Sequence, residues 1–362
     1  MWQFFRLLFI YFILSTSAFS LSLENKYPSY SYVFHEFDVE DAYIYDEDFV
    51  KFVKKHEYNL KNFYKRSLLR GEEILPMIQG LLIEDGVSDL FLYLSMVESG
   101  FSTDIVSPKK AVGLWQFMPA TARQYNLTVC STYDERCDVS SSTAAAINYL
   151  NKLHKQFGKW YLAAMAYNCG EGCVSRALKK AGTDDLSILT NDYLKYLPKE
   201  TRDYIKKILL VAMIGESSLI GLEETISSEN GLVQVEVDST SSIASIAKLI
   251  KMELKDLLSL NSHFPKGVVP RNKDFYMLTI PIEKIYAFYL RYEMPITQEI
   301  EPKSHMLTHR VSMGDTLESV AALYEGDIDE IRVVNHLEYA FLELDTLLVI
   351  PVNQAIFEKL SQ

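Results

Sequence analysis

The sequence predicts an α+β chain in which a mostly helical domain is followed by two small βααβ units. Between residues 71 and 217 apolar side chains recur at helical spacing, and no convincing pair of alternating strands interrupts them. Beyond residue 231 two segments align without a gap, Ile243 falling on Leu317 (a shift of 317 − 243 = 74), Leu257 on Ile331 and Asn261 on Asn335. Each copy opens on a short alternating strand and closes on Ile-Pro, at Ile280-Pro281 and Ile350-Pro351. Internal repetition of this kind marks tandem supersecondary units.

The chain of 362 residues has room for roughly two or three domains. Its apolar share of 48% is that of a globular protein, which excludes global disorder. With 36 Lys+Arg against 48 Asp+Glu the net charge is −12, which argues against a nucleic-acid backbone as ligand but not against an uncharged polymer such as a polysaccharide. Tyr is abundant, with 23 copies beside 19 Phe and only 3 Trp.

Residues 1–20 have the form of a secretory signal. Arg6 is their only charge, Leu7 to Leu14 are apolar, and Ser15, Ser17, Ala18 and Ser20 supply small residues for cleavage after Ala18 or Ser20. An uncleaved membrane anchor is the alternative, disfavoured because the run is short of the ~20 apolar residues of a span. No Cys follows the run, so a lipoprotein anchor is not expected. The expected location is the periplasm.

Four cysteines suit an exported protein. Cys130, Cys137, Cys169 and Cys173 form two close pairs, and although three connectivities are formally open, local bridges 130–137 and 169–173 are favoured. A zinc site is the rival, but the spacings are not the usual C-x2-C pairs. His305 and His309, at the start of a strand, read as plain surface residues.

In chain order, residues 21–48 lack periodicity and read as an irregular leader, which with a following helix makes a segment 21–70. That helix, Asp48 to Arg70, carries Phe49, Phe52, Val53, Leu60 and Phe63 at helical spacing. Further helices are expected over Glu72 to Gln79, Leu90 to Val97, Thr143 to Phe157, Trp160 to Tyr167 and Glu200 to Met213, within a domain at 71–217. A polar linker at 218–231 leads to the first unit, 232–282. A helical spacer at 283–304 separates it from the second, 305–352.

The helix Leu90 to Val97 is apolar almost all round and should be buried. It ends in Glu98-Ser99-Gly100, where Gly100 suits a left-handed cap. A carboxylate there is poorly solvated and faces the negative end of the helix, so its pKa should rise. A neutral carboxylic acid near pH 7 is what protonation of a glycosidic oxygen requires.

The residues around Glu98 resemble a known family. Glu98-Ser-Gly-Phe101, Ser107-Pro108 and Gly113-Leu-Trp-Gln-Phe-Met-Pro119 are similar to the catalytic core of soluble lytic transglycosylases, which have the goose-type lysozyme fold. Ala166-Tyr167-Asn168 and Leu197-Pro-Lys-Glu-Thr-Arg-Asp-Tyr204 match the family's later motifs in order, over roughly residues 71–215. The repeats resemble LysM modules, which bind N-acetylglucosamine-containing glycans. The second has the LysM turn Gly314-Asp315-Thr316-Leu317, while the first reads Ser239-Thr-Ser-Ser-Ile243 and is degenerate. Together the parts resemble the membrane-bound lytic murein transglycosylase D group; the lipoprotein cysteine of some relatives is not seen after the apolar run, which points to a soluble periplasmic form.

Carried over position by position, the resemblance makes Glu98 the single acid and base. It makes Ser107 the serine that orients Glu98, and Tyr167 the tyrosine near that carboxylate and the sugar. Gln116 would hold an N-acetyl group, Phe117 and Met118 would line the groove, and Asn168 would brace the loop. Tyr196 and Tyr204 would close the far wall of the cleft. For Ser99 a helix-end hydrogen bond is as good a reading as substrate contact, for Phe117 and Tyr204 core packing is the alternative, and Trp115 fits core or sugar platform. Cys169 stands where the family has Ala, and a bridge to Cys173 would stiffen the loop carrying Tyr167 and Asn168.

Most glycosidases use two carboxylates. Here the pattern supplies one, since nearby Asp104 matches no catalytic position. The resemblance implies an intramolecular reaction on the MurNAc-β-1,4-GlcNAc bond of peptidoglycan that yields 1,6-anhydroMurNAc, with no metal or organic cofactor. It implies glycan strands as the partner, no nucleic acid, and room for peripheral proximity to the inner or outer membrane. The alternatives are a lysozyme-type hydrolase of the same bond and a catalytically silent peptidoglycan-binding scaffold.

Overall fold

The computed structural model describes residues 22–219, 231–292 except 272, and 305–360 except 336, 338–341, 343, 345 and 353. The expected signal at 1–20, most of the linker and the spacer beyond residue 292 lie outside the described residues. The chain forms two compact units, Met1–Glu293 and Met294–Gln362.

The first unit begins with α1 (Leu23–Lys26), α2 (Tyr30–Glu36), α3 (Glu47–Gly71), α4 (Leu75–Glu84) and α5 (Leu92–Ser99). It continues through α6 (Pro119–Gln124), α7 (Val139–Phe157), α8 (Trp160–Cys169), α9 (Glu171–Ala181), α10 (Leu186–Leu189) and α11 (Lys199–Leu219). Helix α11 is the axis of the core. Ile205, Ile208, Leu209, Leu210 and Met213 are fully buried on its different faces, and it packs against α2, α3, α5 and α8. From Ile208 to Ile214 it is apolar all round, and such a segment cannot sit at a surface.

The leader corrects the expectation drawn from residues 21–48. They are not irregular but form α1, α2 and a 3-10 turn at Asp41–Tyr45. Val33, Phe34 and Phe37 are fully buried in the helical core, with Phe34 edge-on to Phe49. These elements are only one or two turns long, so a helical period has no length in which to show. The Tyr surplus has part of its use here: Tyr27 donates to Glu57 at 2.5 Å, and the Tyr43 and Thr190 hydroxyls are 2.8 Å apart.

Helix starts follow local chemistry. Helix α4 begins at Leu75, later than expected, because Pro76 is tolerated only in a first turn. Asp138 accepts the Ser141 amide at 2.8 Å and starts α7 at Val139, earlier than its apolar pattern indicates. Gly158, at φ 74°, ends α7.

The first unit also contains the first repeat: β1 (Leu232–Asp238), α12 (Ile243–Leu249), α13 (Leu254–Leu260) and β2 (Phe275–Pro281). The strands pair antiparallel, Val235 facing Leu278 and Val237 facing Tyr276. Ile243, Leu257, Leu278 and Ile280 form its core, which is completed by Tyr133 from the helical domain. Helix α14 (Ile285–Arg291) follows.

The second unit repeats the plan as β3 (His305–Arg310), α15 (Leu317–Leu323), α16 (Ile328–Val334), β4 (Leu347–Val352) and α17 (Gln354–Leu360). The aligned asparagines do the same work in both repeats. Asn261 donates to the Leu257 and Thr279 carbonyls and accepts the Thr279 amide at 2.7 Å. Asn335 donates to Ile331 and Val349 and accepts the Val349 amide at 2.7 Å. Each side chain stands in for a missing strand neighbour and ties helix to sheet. His309 is not a plain surface residue: its ring bonds Asp315 at 2.9 Å and Tyr324 at 3.1 Å. Among the described residues no helix is long and apolar enough to cross a membrane.

Candidate active site

Helix α5 ends as its sequence requires. Gly100 takes the left-handed conformation at φ 61°, and its amide reaches the Met96 carbonyl at 2.7 Å. A Cβ at Gly100 would stand 2.8 Å from Arg70 Nη1, and that guanidinium donates to the Gly100 carbonyl at 2.5 Å. The last turn of α5, with Glu98 on it, is thus clamped from α3.

Glu98 is packed by protein on most sides and partly open at its surface. Burial pushes its pKa up to about 7, opposed by the Tyr204 hydrogen bond and the Lys207 charge and aided by Glu200. The Tyr204 hydroxyl donates to Glu98 Oε1 at 2.5 Å. Burial and the Glu98 charge hold the Tyr204 and Tyr167 phenols well above their ordinary range, so both remain protonated donors. Tyr167 donates to the Trp115 carbonyl at 2.8 Å.

The loop 105–117 folds back on itself through bridges Val106 to Val112 and Val112 to Phe117. Gln116, at φ 50°, turns its amide nitrogen to the Gly113 carbonyl at 2.8 Å and the Ile105 carbonyl at 3.2 Å. Its amide oxygen is therefore the end suited to accept from a ligand. Ile105, Val106 and Met118 are exposed around it. Ser95 Oγ donates to the Leu114 carbonyl at 3.2 Å and holds this loop against α5.

The structure distributes the sequence candidates unevenly. Glu98, Tyr167 and Tyr204 come together. Ser107, expected to orient Glu98, accepts the Ala111 amide at 2.9 Å and so closes its own turn, a bond that uses only its oxygen as acceptor; the hydroxyl that bonds the carboxylate is that of Tyr204. Tyr204 is thus more than core packing. Ser99 donates to Ser95 one turn back, the helix-end reading. Trp115 is wholly buried with its indole on Thr143 at 2.9 Å, and Phe117 is buried against Tyr167, so both are core. Asn168 accepts from Thr201 at 2.8 Å and ties α8 to α11, while Tyr196 is half-buried under Lys180.

Cys169 and Cys173 form a disulfide at the α8–α9 junction. Cys130 and Cys137 are free, which corrects the second expected bridge: the segment between them is an open hairpin whose backbone pairs Cys130 with Tyr133. Asp104 is exposed and bonded to Ser102. Glu216, also raised by burial, accepts from Tyr93 and lies twelve residues beyond Tyr204 on α11, about 18 Å along the helix. One carboxyl, flanked by protonated tyrosines, is therefore what the arrangement offers for proton transfer. Sequence reasoning missed Arg70 and Arg136; Gly100 and Gly113, which each arginine approaches, were the available signal.

Residues 79–189 match the family described as Transglycosylase SLT domain, 231–294 the Lytic transglycosylase MltD, LysM-like domain, and 309–351 the LysM domain. The membrane-bound lytic murein transglycosylase D of Escherichia coli K12 is 28% identical over 289 residues, covering 76% of this chain. The chain spans 63% of the length of that relative. Among solved structures, the 70 kDa soluble lytic transglycosylase of Escherichia coli is similar over 43% of this chain and 26% of its own, with 21% identity and TM-score 0.35. A lytic transglycosylase Slt from Pseudomonas aeruginosa is similar over 39% and 24%, with 25% identity and TM-score 0.31.

Proposed function

We propose that this chain, which joins a transglycosylase SLT domain to a LysM-like and a LysM module, is a peptidoglycan lytic transglycosylase working outside the cytoplasm. The observation that carries the proposal is a single carboxyl, Glu98, enclosed at the end of α5 with the Tyr204 hydroxyl on its Oε1 at 2.5 Å, where burial pushes its pKa up to about 7.

At neutral pH a large fraction of Glu98 is protonated. As general acid it gives that proton to the oxygen linking N-acetylmuramic acid to N-acetylglucosamine, and the C–O bond breaks as positive charge grows at the anomeric carbon. Gln116 accepts the acetamido N–H and orients the acetyl oxygen toward that carbon. Glu98 is now an anion, held by the Tyr204 O–H, and takes the proton of the sugar's own 6-hydroxyl as its oxygen attacks. The product is a 1,6-anhydro ring, and Glu98 ends protonated as it began. An attached hydroxyl replaces water at high effective molarity, so a second carboxylate to activate water is not required. The LysM module would hold glycan strands.

Digestion of purified sacculi tests this reading. Wild type should release soluble muropeptides, and Glu98→Gln should release none while still binding the sacculi. An active Glu98→Gln would sink the role given to Glu98, and a silent wild type beside a working control enzyme would sink the reading and favour the scaffold alternative.

A further inference from the structure

We infer that Arg136 is a positioning residue for the substrate loop, and that the first LysM-like module serves as its fixed backing. The inference rests on the proposed reaction for its substrate and deepens that reading.

The hairpin before α7 is closed by the Glu135 amide on the Thr128 carbonyl at 2.9 Å, the Thr128 amide on the Glu135 carboxylate at 2.6 Å, and a bridge between Val129 and Asp134. It is too short to have a core of its own. Tyr133 supplies one by leaving the helical domain and packing between Phe264 and Tyr276, with ring centroids 5.2 and 5.0 Å away. Lys273 lies over its ring at 5.6 Å. Polar contacts surround this plug. The Asp134 amide donates to the His263 carbonyl at 3.0 Å, and Gln234 donates to both oxygens of buried Asp138 at 3.0 and 3.2 Å. A buried aromatic anchor ringed by polar contacts is the pattern of a stable interface. The module is seated, not tethered.

Arg136 turns that seating toward the site. Its Nε and Nη2 make a bidentate pair with Asp134 at 2.9 and 2.7 Å. This leaves Nη1 to donate to the Lys110 and Phe117 carbonyls, each at 3.2 Å. Lys110 closes the turn that starts at Ser107, and Phe117 directly follows Gln116, so one guanidinium spans both arms of the loop. The fit is close. A Cβ on Gly113, at φ 82°, would stand 1.8 Å from the Arg136 carbonyl oxygen. Arg136 is itself only 6% exposed and reaches no part of Glu98 in its bonding. Its effect should therefore fall on substrate holding and not on proton transfer. A lysine cannot replace it, since a point charge lacks the planar fork needed to serve a carboxylate and two carbonyls together.

The experiment measures steady-state cleavage of a GlcNAc–MurNAc oligosaccharide by the full chain, with Arg136→Gln and Tyr133→Leu beside wild type. Thermal melts report folding. Binding of the same oligosaccharide is measured with each change placed on Glu98→Gln. The expected result is a KM raised about tenfold with kcat within about twofold, and a matching loss of affinity, in both variants. Should Arg136→Gln not fold, Tyr133→Leu decides, because it loosens the backing and leaves every Arg136 donor in place. General destabilisation would instead lower the active fraction, seen as a reduced kcat at unchanged KM, and that result overturns the inference. So does a folded variant with both constants unchanged. A silent wild type refutes the proposed reaction and is distinguishable from either outcome.

Discussion

Tyr204 donates to Glu98 Oε1 at 2.5 Å, so the carboxyl that burial drives toward neutrality is also held by a bond that favours its charge. The two influences oppose each other on one group, and together they leave Glu98 near pH 7, where it can both give and take a proton. An acid with a much higher pKa would be a poor base in the second half of the proposed reaction, and one with a lower pKa would seldom be protonated for the first.

Removing the hydroxyl alone should move this balance. In Tyr204→Phe the bond that lowers the Glu98 pKa is gone, so that pKa rises further. The alkaline limb of kcat/KM against pH should move up by about one unit, with a fall of about tenfold in rate near neutrality as the anion loses its donor. A pH–rate profile checks this, and an unmoved limb would contradict the role given to Tyr204.

Stability carries the same signature with a definite sign. The folded pKa of Glu98, about 7, lies above the ordinary carboxyl value of 4.5, so the native state binds more protons between those pH values. Wild type therefore loses stability as pH rises from about 4.5 through 7, by up to about 3 kcal/mol. Glu98→Gln carries no such group. It should melt like wild type at pH 4 and above it at pH 8, as read by thermal denaturation at the two pH values.

Gly113→Ala should be among the most damaging of small changes. The new methyl would meet the Arg136 carbonyl at 1.8 Å in a backbone conformation at φ 82° that favours glycine. A loss of about 3 kcal/mol or more is expected in urea denaturation, together with weakened oligosaccharide binding.

The cysteines give a chemical check. Under denaturing, non-reducing conditions thiol titration should find only Cys130 and Cys137, and reduction should expose Cys169 and Cys173 as well. The double change Cys169→Ser with Cys173→Ser should cost about 2 kcal/mol, because the closed loop is short.

Much of this was legible in the residues, for identifiable reasons. Helix α5 is apolar almost all round and ends in Glu-Ser-Gly, so its burial, its left-handed cap and the raised pKa of Glu98 could be read together. The aligned Asn261 and Asn335 proved to be the same helix-to-sheet tie in each repeat. What escaped was set by tertiary contacts. Phe34 and Phe37 lie in elements too short to show a period. Ser107 has its place in a motif, but the donor that the structure puts on Glu98, Tyr204, comes from a helix more than a hundred residues away. Tyr133 reads as one more loop tyrosine until its ring is found inside the neighbouring module. Spacing along a chain reports local faces, and it carries no record of which distant face they meet.

The measurement that bears most directly on the central claim is the mass of the products released from purified peptidoglycan. Intramolecular attack by the 6-hydroxyl predicts muropeptides ending in an anhydro sugar, lighter by one water than the products of hydrolysis, and none of them from Glu98→Gln. Products carrying that water, or the same yield from Glu98→Gln, would contradict it.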